Sequence, residues 1–258
     1  MIEEGRKPQV GFFDFAGCEG CQLTVVDLLQ THLDLLEAVE IVEFREALTG
    51  TVDHLDVAFV EGSCTREEDE VRLKSIRDRS TRVVALGACA HIAGINALRN
   101  SIASEEAKEI VYGEQAPLIS TYDPRPIGAV INVDAVVPGC PINPEEFQAV
   151  LVKLLQGRTP ELPDSSVCME CKAREIECVY PLRRPCLGPI TRSGCGAICP
   201  GSGFQCVGCR GTISNPNLES LSQVVLDHGM SSNDLERSLS MFLNWQLGVS
   251  KPCEARDD

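Results

Sequence analysis

The sequence predicts an α/β fold in which a parallel sheet covered by helices is followed by a small irregular domain with short helices. Three observations predict it. Between residues 9 and 157, short apolar segments alternate with helical segments and cysteine-bearing loops. Eight cysteines then follow within 42 residues, and glycine and proline fill the gaps between them. A proline-containing linker at 158–166 separates the two patterns, so we place the domains at 1–157 and 158–258.

Five short apolar segments have the composition of buried strands. They are Gln9–Phe15, Val39–Phe44, Asp56–Val60, Arg82–Leu86 and Val133–Val137. Because strand, loop and helix recur in this order, the pattern predicts a doubly wound parallel sheet of flavodoxin-like character. In such sheets the functional crevice lies beyond the carboxyl ends of the strands.

Helices are expected between these strands. Apolar residues at helical spacing predict a helix over Gln22–Ala38. Thr65 and Glu68 form a capping-box pattern, which predicts a charged helix that ends near Arg79. The region 100–132 lacks a clear pattern and is expected to cross the surface.

Three further helices are expected towards the C-terminal end of the chain. Asn143, followed by proline, predicts the start of a helix after the fifth strand. Two short helices are expected after the cysteine-rich segment, over Asn217–Asp227 and Asp234–Gln246. Ser231 or Ser232 is the expected cap of the second.

The composition argues against several classes of protein. A net charge of −15 argues against nucleic-acid binding, which needs a basic surface. The first ten residues show no apolar signal region, and no segment has the length of a membrane span. We therefore expect a cytoplasmic protein without a transmembrane segment. Fourteen cysteines in that compartment favour metal binding over disulfides.

The loop after the first strand lacks the phosphate-binding pattern of nucleotide and flavin sites. Such a site is built from Gly, Ser and Thr amides, whereas this chain has C-E-G-C at residues 18–21 and no G-x-G-x-x-G. We therefore expect neither a nucleotide nor a flavin on this chain.

Five cysteines follow directly after predicted strands. Because parallel strands end at one edge of a sheet, Cys18, Cys21, Cys89 and Cys140 can converge although they are far apart in sequence. Four thiolates suit an iron–sulfur cluster, although a lone cysteine at a strand end is more often a small buried hydrophobe. The C-x2-C pair favours the cluster. Cys64 is a fifth cysteine where four suffice, and we do not count it as a ligand.

The cysteine-rich segment, Cys168–Cys209, shows no apolar periodicity, so something other than a hydrophobic core must hold it together. Disulfides and thiolate-bound metal both fit. Eight cysteines suit two four-thiolate sites, of zinc or of iron–sulfur type. The step from Cys199 to Pro200 resembles that of ferredoxins and favours clusters over a zinc ribbon. Cys253 lies in the charged tail and is expected to be unliganded.

The local charge of this segment differs from that of the whole chain. Residues 168–210 carry six basic and three acidic side chains in a chain with a net charge of −15. Cationic side chains near anionic clusters would stabilise the reduced form. A solvated basic patch that meets an acidic partner is the alternative interpretation.

The cysteine motifs resemble those of one known family. The chain has C-E-G-C, G-A-C-A and P-G-C-P after its first, fourth and fifth predicted strands. Its tail contains M-E-C-K-A-R-E, C-L-G-P-I-T-R-S-G-C-G-A-I-C-P and C-V-G-C-R-G. Together these motifs resemble the small subunit of [NiFe] hydrogenases over nearly the whole chain. They are most similar to the cytosolic branch, which includes methyl-viologen-reducing, F420-reducing, sulfhydrogenase and NAD(P)-linked enzymes.

The resemblance implies three [4Fe-4S] clusters. It assigns the proximal cluster to Cys18, Cys21, Cys89 and Cys140. It assigns the medial cluster to Cys195, Cys199, Cys206 and Cys209. It assigns the distal cluster to Cys168, Cys171, Cys178 and Cys186. Cys168 stands where periplasmic relatives use histidine, and Cys199 stands where they often carry proline, so a four-iron medial cluster is expected.

The resemblance also implies an oxidoreductase that works as part of a complex. Dihydrogen would be split on a large subunit, and electrons would pass through the three clusters to a further iron–sulfur or flavin subunit. The paired C-x2-C motifs of the large subunit are absent, so no nickel is expected on this chain. No catalytic residue is assigned. Glu19 and Glu61 are candidate proton-relay residues, although interface or solvated carboxylates are the commoner interpretation.

Two other functions remain open from the sequence. A zinc-stabilised scaffold without redox chemistry would be colourless, whereas an iron–sulfur protein is brown. The iron–sulfur subunit of respiratory NADH–quinone oxidoreductase has a related fold with one cluster. That subunit uses an adjacent cysteine pair and lacks the eight-cysteine tail, and this chain has no adjacent pair.

Overall fold

The structure, a computed structural model, describes residues 6–248 of the chain. Its sheet has five parallel strands in the order β2-β1-β3-β4-β5. The strands are β1 (Gln9–Asp14), β2 (Glu40–Phe44), β3 (Leu55–Glu61), β4 (Ser80–Leu86) and β5 (Ala135–Val137). The predicted α/β fold with a parallel sheet is confirmed, and strand ends differ from the predicted ones by at most two residues.

The strand register brings the loops after four strands to one level of the sheet. Asp14 of β1 pairs with Glu61 of β3, and Glu61 pairs with Leu86 of β4. Leu86 in turn pairs with Val137 of β5. The order matches that of flavodoxin-like sheets, in which ligands bind beyond the carboxyl ends of the strands. The loops that follow β1, β3, β4 and β5 therefore start side by side.

Helices make up much of the remaining chain. The α-helices are α1 (Gly20–Thr31), α2 (Leu33–Ala38), α3 (Glu67–Asp78), α4 (Gly87–Ile92), α5 (Ser104–Tyr112), α6 (Pro144–Leu155), α7 (Val167–Ala173), α8 (Ile198–Gly201), α9 (Leu218–Asp227) and α10 (Ser232–Leu247). Short 3-10 helices cover Gly94–Ser101, Gly113–Leu118, Ile127–Ala129 and Tyr180–Leu182. Within residues 6–248, no helix has the length and apolar character that a membrane crossing requires.

An aromatic cluster fills the core on one face of the sheet. The ring of Phe12 in β1 lies 4.8 Å from Phe44 and 5.2 Å from Phe59, and Phe59 lies 5.0 Å from Phe147 of α6. All four side chains are buried. Aromatic pairs at these distances contribute packing energy beyond their buried area, so they anchor α6 against β1 and β3.

The predicted continuous helix over Gln22–Ala38 is wrong. The chain leaves the helical conformation at His32, which has φ −126° and ψ 70°, and it resumes as α2. The hydroxyl of Thr31 donates to the carbonyl of Leu28 at 2.9 Å. The backbone N–H of His32 donates to the same carbonyl at 2.9 Å, so α1 ends after a completed turn.

The cap of α3 also differs from the predicted one. The carboxylate of Asp69, rather than Glu68, accepts hydrogen bonds from the backbone of Thr65 at 3.0 Å and of Arg66 at 3.0 Å. The first helical residue is Glu67, so Asp69 and not Glu68 occupies the third helical position that a capping box uses.

Two other predicted caps are confirmed, and a third residue caps a helix without having been predicted to. The side chain of Asn143 accepts from the N–H of Glu146 at 2.7 Å at the start of α6. Asn217, which was predicted as the first helical residue, caps α9 in the same way. Ser231, rather than Ser232, caps α10, where its hydroxyl accepts from the N–H of Asp234 at 3.2 Å.

The described residues form two compact units. The first comprises the described residues up to Ala93 together with Arg125–Leu162, and the second comprises Gly94–Pro124 with the described residues from Pro163 onward. In the second unit the amide of Asn244 in α10 donates to the carbonyl of Ala97 at 2.7 Å. Residues 94–124 thus pack with the C-terminal helices, whereas the division into functional domains at residue 157 stays a prediction.

Candidate metal centres

The first candidate site is formed by four thiols of the first unit, Cys18, Cys21, Cys89 and Cys140. They follow β1, β4 and β5, whose carboxyl ends lie side by side. The backbone N–H of Ala88 donates to the carbonyl of Gly139 at 2.7 Å, which joins the loop after β4 to the loop after β5.

Electrostatic interactions among these thiols show that the fold brings them together. Burial raises the pKa of Cys89 to about 12, and negative charge on Cys140 and Cys18 contributes to that rise. Burial also raises the pKa of Cys21, and negative charge on Glu61, Cys140 and Cys89 raises it further. In the metal-free chain these two thiols are therefore neutral at neutral pH.

Gly87, the first residue of α4, leaves room for the thiol of Cys21. Its φ of +83° lies in the region that favours glycine. A Cβ atom at this position would lie 2.4 Å from the Cys21 sulfur and 3.5 Å from the Gly139 carbonyl oxygen. Any other residue here would displace a candidate ligand.

Glu61, at the end of β3, binds the start of α1. Its two carboxylate oxygens accept hydrogen bonds from the backbone N–H of Cys21 at 3.1 Å and of Gln22 at 2.9 Å. Its side chain is 4% exposed. A helix N-terminus is where anions bind in this fold. The chain's own carboxylate therefore takes the place that a ligand phosphate would need.

Glu19, the other candidate proton-relay residue, has a different environment. It is half-buried, with φ 63° at the N-cap of α1. Its pKa is raised by the neighbouring carboxylate of Glu46, then by burial, and also by Asp14 and Glu61. The structure places it in an acidic group, and its role in proton transfer stays a prediction.

The two remaining cysteines differ in their surroundings. Cys64 is buried, and its thiol donates to the carbonyl of Arg66 at 3.9 Å. Its backbone also pairs with that of Arg125 in an antiparallel bridge. Cys253 lies outside the described residues. That neither is a ligand stays a prediction.

A second group of thiols, Cys168, Cys171, Cys178 and Cys186, lies in the second unit. α7 carries the first two. Burial raises the pKa of Cys168 to about 11, with further contributions from Cys186, Cys171 and Cys178. A Cβ atom on Gly188 would lie 3.3 Å from the sulfur of Cys168 and 3.4 Å from that of Cys186. The four thiols therefore face one another.

The third group comprises Cys195, Cys199, Cys206 and Cys209. Burial raises the pKa of Cys199, and negative charge on Cys195 raises it further. Burial raises the pKa of Cys206, and Cys186 and Cys209 add to it. The backbone N–H of Cys206 donates to the sulfur of Cys186 at 3.2 Å. The second and third groups therefore adjoin at these two residues.

Sequence reasoning missed the role of Glu170 between the second and third groups. Its carboxylate accepts hydrogen bonds from the backbone N–H groups of Gly194, Gly196 and Ala197. Its place between two cysteines in C-M-E-C was the only signal, because the partner loop lies about 25 residues away along the chain.

Two of the basic residues of the segment are not free surface charges. Arg210 is 1% exposed, and its Nε donates to the carbonyl of Ser193 at 2.8 Å. Arg192 pairs with Asp164 at 3.1 Å. The interpretation as a solvated basic patch therefore does not apply to these two side chains.

The donor set fits iron–sulfur clusters better than single zinc ions. Among the cysteines of residues 6–248 none forms a disulfide. Three groups of four thiols supply the four-cysteine ligation that both kinds of centre use. In the described part of the chain, no three His, Cys, Asp or Glu side chains lie close enough to hold one single metal ion. A cluster differs in binding each thiolate to a different iron atom.

Comparison with known proteins assigns the chain to a family. The family described as "NADH ubiquinone oxidoreductase, 20 Kd subunit" matches residues 18–154. The chain is 37% identical over 239 residues to sulfhydrogenase 2 subunit delta of Pyrococcus furiosus, covering 92% of this chain and 100% of that protein. The chain belongs to the family of [NiFe]-hydrogenase small subunits. The resemblance inferred from the cysteine motifs is therefore confirmed.

Two further comparisons agree with this family. The small subunit is 33% identical over 258 residues to a subunit of the F420-non-reducing hydrogenase vhu of Methanococcus voltae, covering 87% of this chain and 86% of the other. It is also similar to a crystal structure of an NAD+-reducing [NiFe]-hydrogenase in the H2-reduced state, with a TM-score of 0.56 and 29% identity. That match covers 61% of this chain and 96% of the solved one.

Membership of the hydrogenase small-subunit family makes the protein an oxidoreductase subunit of a hydrogenase complex. It implies iron–sulfur clusters and a large-subunit partner. The NADH–quinone oxidoreductase alternative is related through the shared family profile, which ends at residue 154. The profile therefore stops before the eight-cysteine segment, whereas the match to sulfhydrogenase subunit delta covers 92% of the chain.

Proposed function

We propose that this small subunit carries electrons from the H2-oxidising site of its large subunit to a further redox subunit, through three [4Fe-4S] clusters. The observation that carries the proposal is the convergence of Cys18, Cys21, Cys89 and Cys140 at the carboxyl edge of one parallel sheet. When bound, such clusters supply one-electron transfer, at potentials that span roughly −700 to +450 mV among proteins.

The first unit would hold the proximal cluster. Cys18 and Cys140 are exposed, whereas Cys21 is buried. A partner subunit can therefore reach one side of this site while the sheet covers the other. Glu61 fixes the C-E-G-C loop through two backbone amides, and Gly87 keeps space open beside Cys21. These residues position and enclose the ligands and need no acid–base role for that purpose.

The second unit would hold the other two clusters. Cys195, Cys199, Cys206 and Cys209 are the proposed medial ligands, and Cys168, Cys171, Cys178 and Cys186 the proposed distal ligands. The hydrogen bond between Cys206 and Cys186 supports two adjacent sites. Cys178 is exposed, as an exit to another subunit requires.

The acceptor is proposed only by class. One similar hydrogenase is named NAD+-reducing and another is named coenzyme F420 hydrogenase, which supports different acceptors among related small subunits. A further iron–sulfur or flavin subunit would connect this chain to its own acceptor. We also propose a cytoplasmic location, which fractionation of the native organism would test.

Iron and acid-labile sulfide analysis of the purified native complex tests the number of clusters. Three [4Fe-4S] clusters predict about twelve irons for this chain beyond those of the other subunits. A Cys140→Ala variant is expected to lose the proximal cluster, and a matched Cys64→Ala variant to keep all three. A colourless chain that binds zinc would overturn the proposal, as would a Cys64→Ala variant that loses iron.

A further inference from the structure

The carboxylate of Glu170 sits among backbone amides of the loop that bears Cys195. One oxygen accepts from the N–H of Gly194 at 2.8 Å and of Gly196 at 3.1 Å, and the other accepts from Ala197 at 3.1 Å. The same carboxylate lies 3.8 Å from the sulfur of Cys195. Three amide donors thus converge on one anion.

The backbone of this loop is shaped to present those donors. Gly194, Gly196 and Ala197 have φ values of 116°, 64° and 51°. The backbone N–H groups of these three residues point towards one carboxylate and form a concave anion-binding nest. Ala197 adopts a conformation that side-chain-bearing residues rarely take, so it persists only because surrounding contacts hold it. The carboxylate of Glu170 is the anion that fills this nest.

The attachment of Glu170 joins two groups of thiols. Glu170 lies in α7 between Cys168 and Cys171, whereas its three donors flank Cys195. Arg174, one turn further along the chain, donates from its guanidinium to the carbonyl of Gly196. Both a carboxylate and a guanidinium of this segment, which carries Cys168 and Cys171, therefore form hydrogen bonds with the loop that carries Cys195.

We propose that Glu170 is a positioning residue that locks the Cys195 loop to the Cys168–Cys171 helix and keeps the midpoint potential of the Cys195 cluster low. The inference rests on the proposed function, because it takes the third thiol group to be cluster ligands. A carboxylate 3.8 Å from a ligand sulfur disfavours an additional electron on the cluster. The amide nest holds that charge in place.

Redox titration of the purified hydrogenase complex, followed by electron paramagnetic resonance, tests the inference. Glu170→Gln keeps the side-chain size but removes the charge and turns one acceptor into a donor. We expect the midpoint potential of the Cys195 cluster to rise, with a larger shift than at the Cys168 cluster. The matched control is Glu175→Gln, which removes an exposed charge from the same segment. Equal potentials and line shapes in both variants would overturn the inference.

Glu170→Asp shortens the side chain but keeps its negative charge. It also provides a test if the complex with Glu170→Gln does not assemble. The shorter side chain keeps the charge but cannot span to all three amides, so we expect a broadened signal and partial loss of the Cys195 cluster. An unchanged signal and unchanged iron content would contradict the positioning role. If the proposed function itself were wrong, the wild-type complex would show no signal from the Cys195 cluster. That result differs from an effect of the Glu170 variants alone.

Discussion

The carboxylate of Glu61 accepts a 3.1 Å hydrogen bond from the backbone N–H of Cys21. The two residues are 40 positions apart in sequence, and the contact ties the end of β3 to the start of α1. Because the carboxylate is buried and faces a helix N-terminus, the bond is charge-assisted and favoured by the helix dipole. β3 thereby sets the position of the loop that carries two proposed ligands.

Replacement of Glu61 by glutamine is expected to loosen this loop. One carboxylate oxygen becomes an NH2 group that faces a backbone N–H, so a buried donor loses its acceptor. We expect a loss of about 1–3 kcal/mol in the free energy of unfolding, measured by urea denaturation, with less iron per chain. Glu37→Gln, at an exposed carboxylate, is the control and should change neither quantity. Equal stability of the two variants would contradict the role assigned to Glu61.

Replacement of Gly87 by alanine tests the space beside Cys21. The added methyl group would lie 2.4 Å from the Cys21 sulfur, so the ligand or α4 must shift. We expect the complex to lose the proximal cluster, measured as about four fewer irons and a missing resonance signal.

Gly157→Ala is the matched control for Gly87→Ala. Gly157 also has a positive φ, of +71°, but an added Cβ meets nothing within 4 Å. It carries the same kind of backbone strain, about 1–2 kcal/mol, without the contact. If both variants lost the cluster, backbone strain would be the cause rather than the contact between the added methyl group and the Cys21 sulfur.

The sheet could be predicted from sequence because buried parallel strands are short, continuous apolar segments. The break at His32 could not, because the apolar pattern continues across it. The cap of α3 was misassigned by one residue, to Glu68 instead of Asp69, because both are acidic and only the backbone geometry distinguishes them.

Part of the candidate sites could also be predicted from sequence. The convergence of Cys18, Cys89 and Cys140 follows from the parallel direction of the strands, since their carboxyl ends share an edge. The acceptor roles of Glu61 and Glu170 do not follow, because each depends on a distant loop whose amides point at it. No local pattern encodes a contact of that kind, and the assignment of ligands to individual clusters stays a prediction.

The metal-free chain is expected to lose stability as the pH rises above about 9. Burial raises the pKa of Cys89, in the unit that contains the sheet, from 9.0 to about 12. Between pH 9 and about 12 the Cys89 thiol of the folded chain keeps a proton that the same thiol has released in the unfolded chain. A raised pKa in the folded state therefore stabilises the fold below pH 9, and this contribution is lost as the pH rises towards the folded pKa.

Urea denaturation of the reduced, metal-free chain between pH 8 and 10 measures this effect. A single such thiol contributes a decrease of up to about 1.4 kcal/mol per pH unit above pH 9. Cys89→Ala removes one titrating group, so its stability should fall less steeply with pH. The same slope in both chains would show that Cys89 does not titrate as the structure indicates.

Tyr180 supports the second group of thiols through its hydroxyl. The hydroxyl donates to the buried backbone carbonyl of Cys186 at 2.6 Å, and the ring stacks on His228 with centroids 5.5 Å apart. Tyr180→Phe keeps the ring and its stacking but leaves the carbonyl without this donor. We expect a loss of about 1–3 kcal/mol in the free energy of unfolding.

The control for Tyr180→Phe is Tyr112→Phe, which removes a hydroxyl from an exposed ring at the end of α5. Its stability should match that of the wild type, because water replaces any partner of an exposed hydroxyl. If Tyr180→Phe were equally stable, the bond to Cys186 would contribute nothing to the fold. If it were less stable but kept its distal cluster signal, the hydroxyl would stabilise the fold without positioning the ligand.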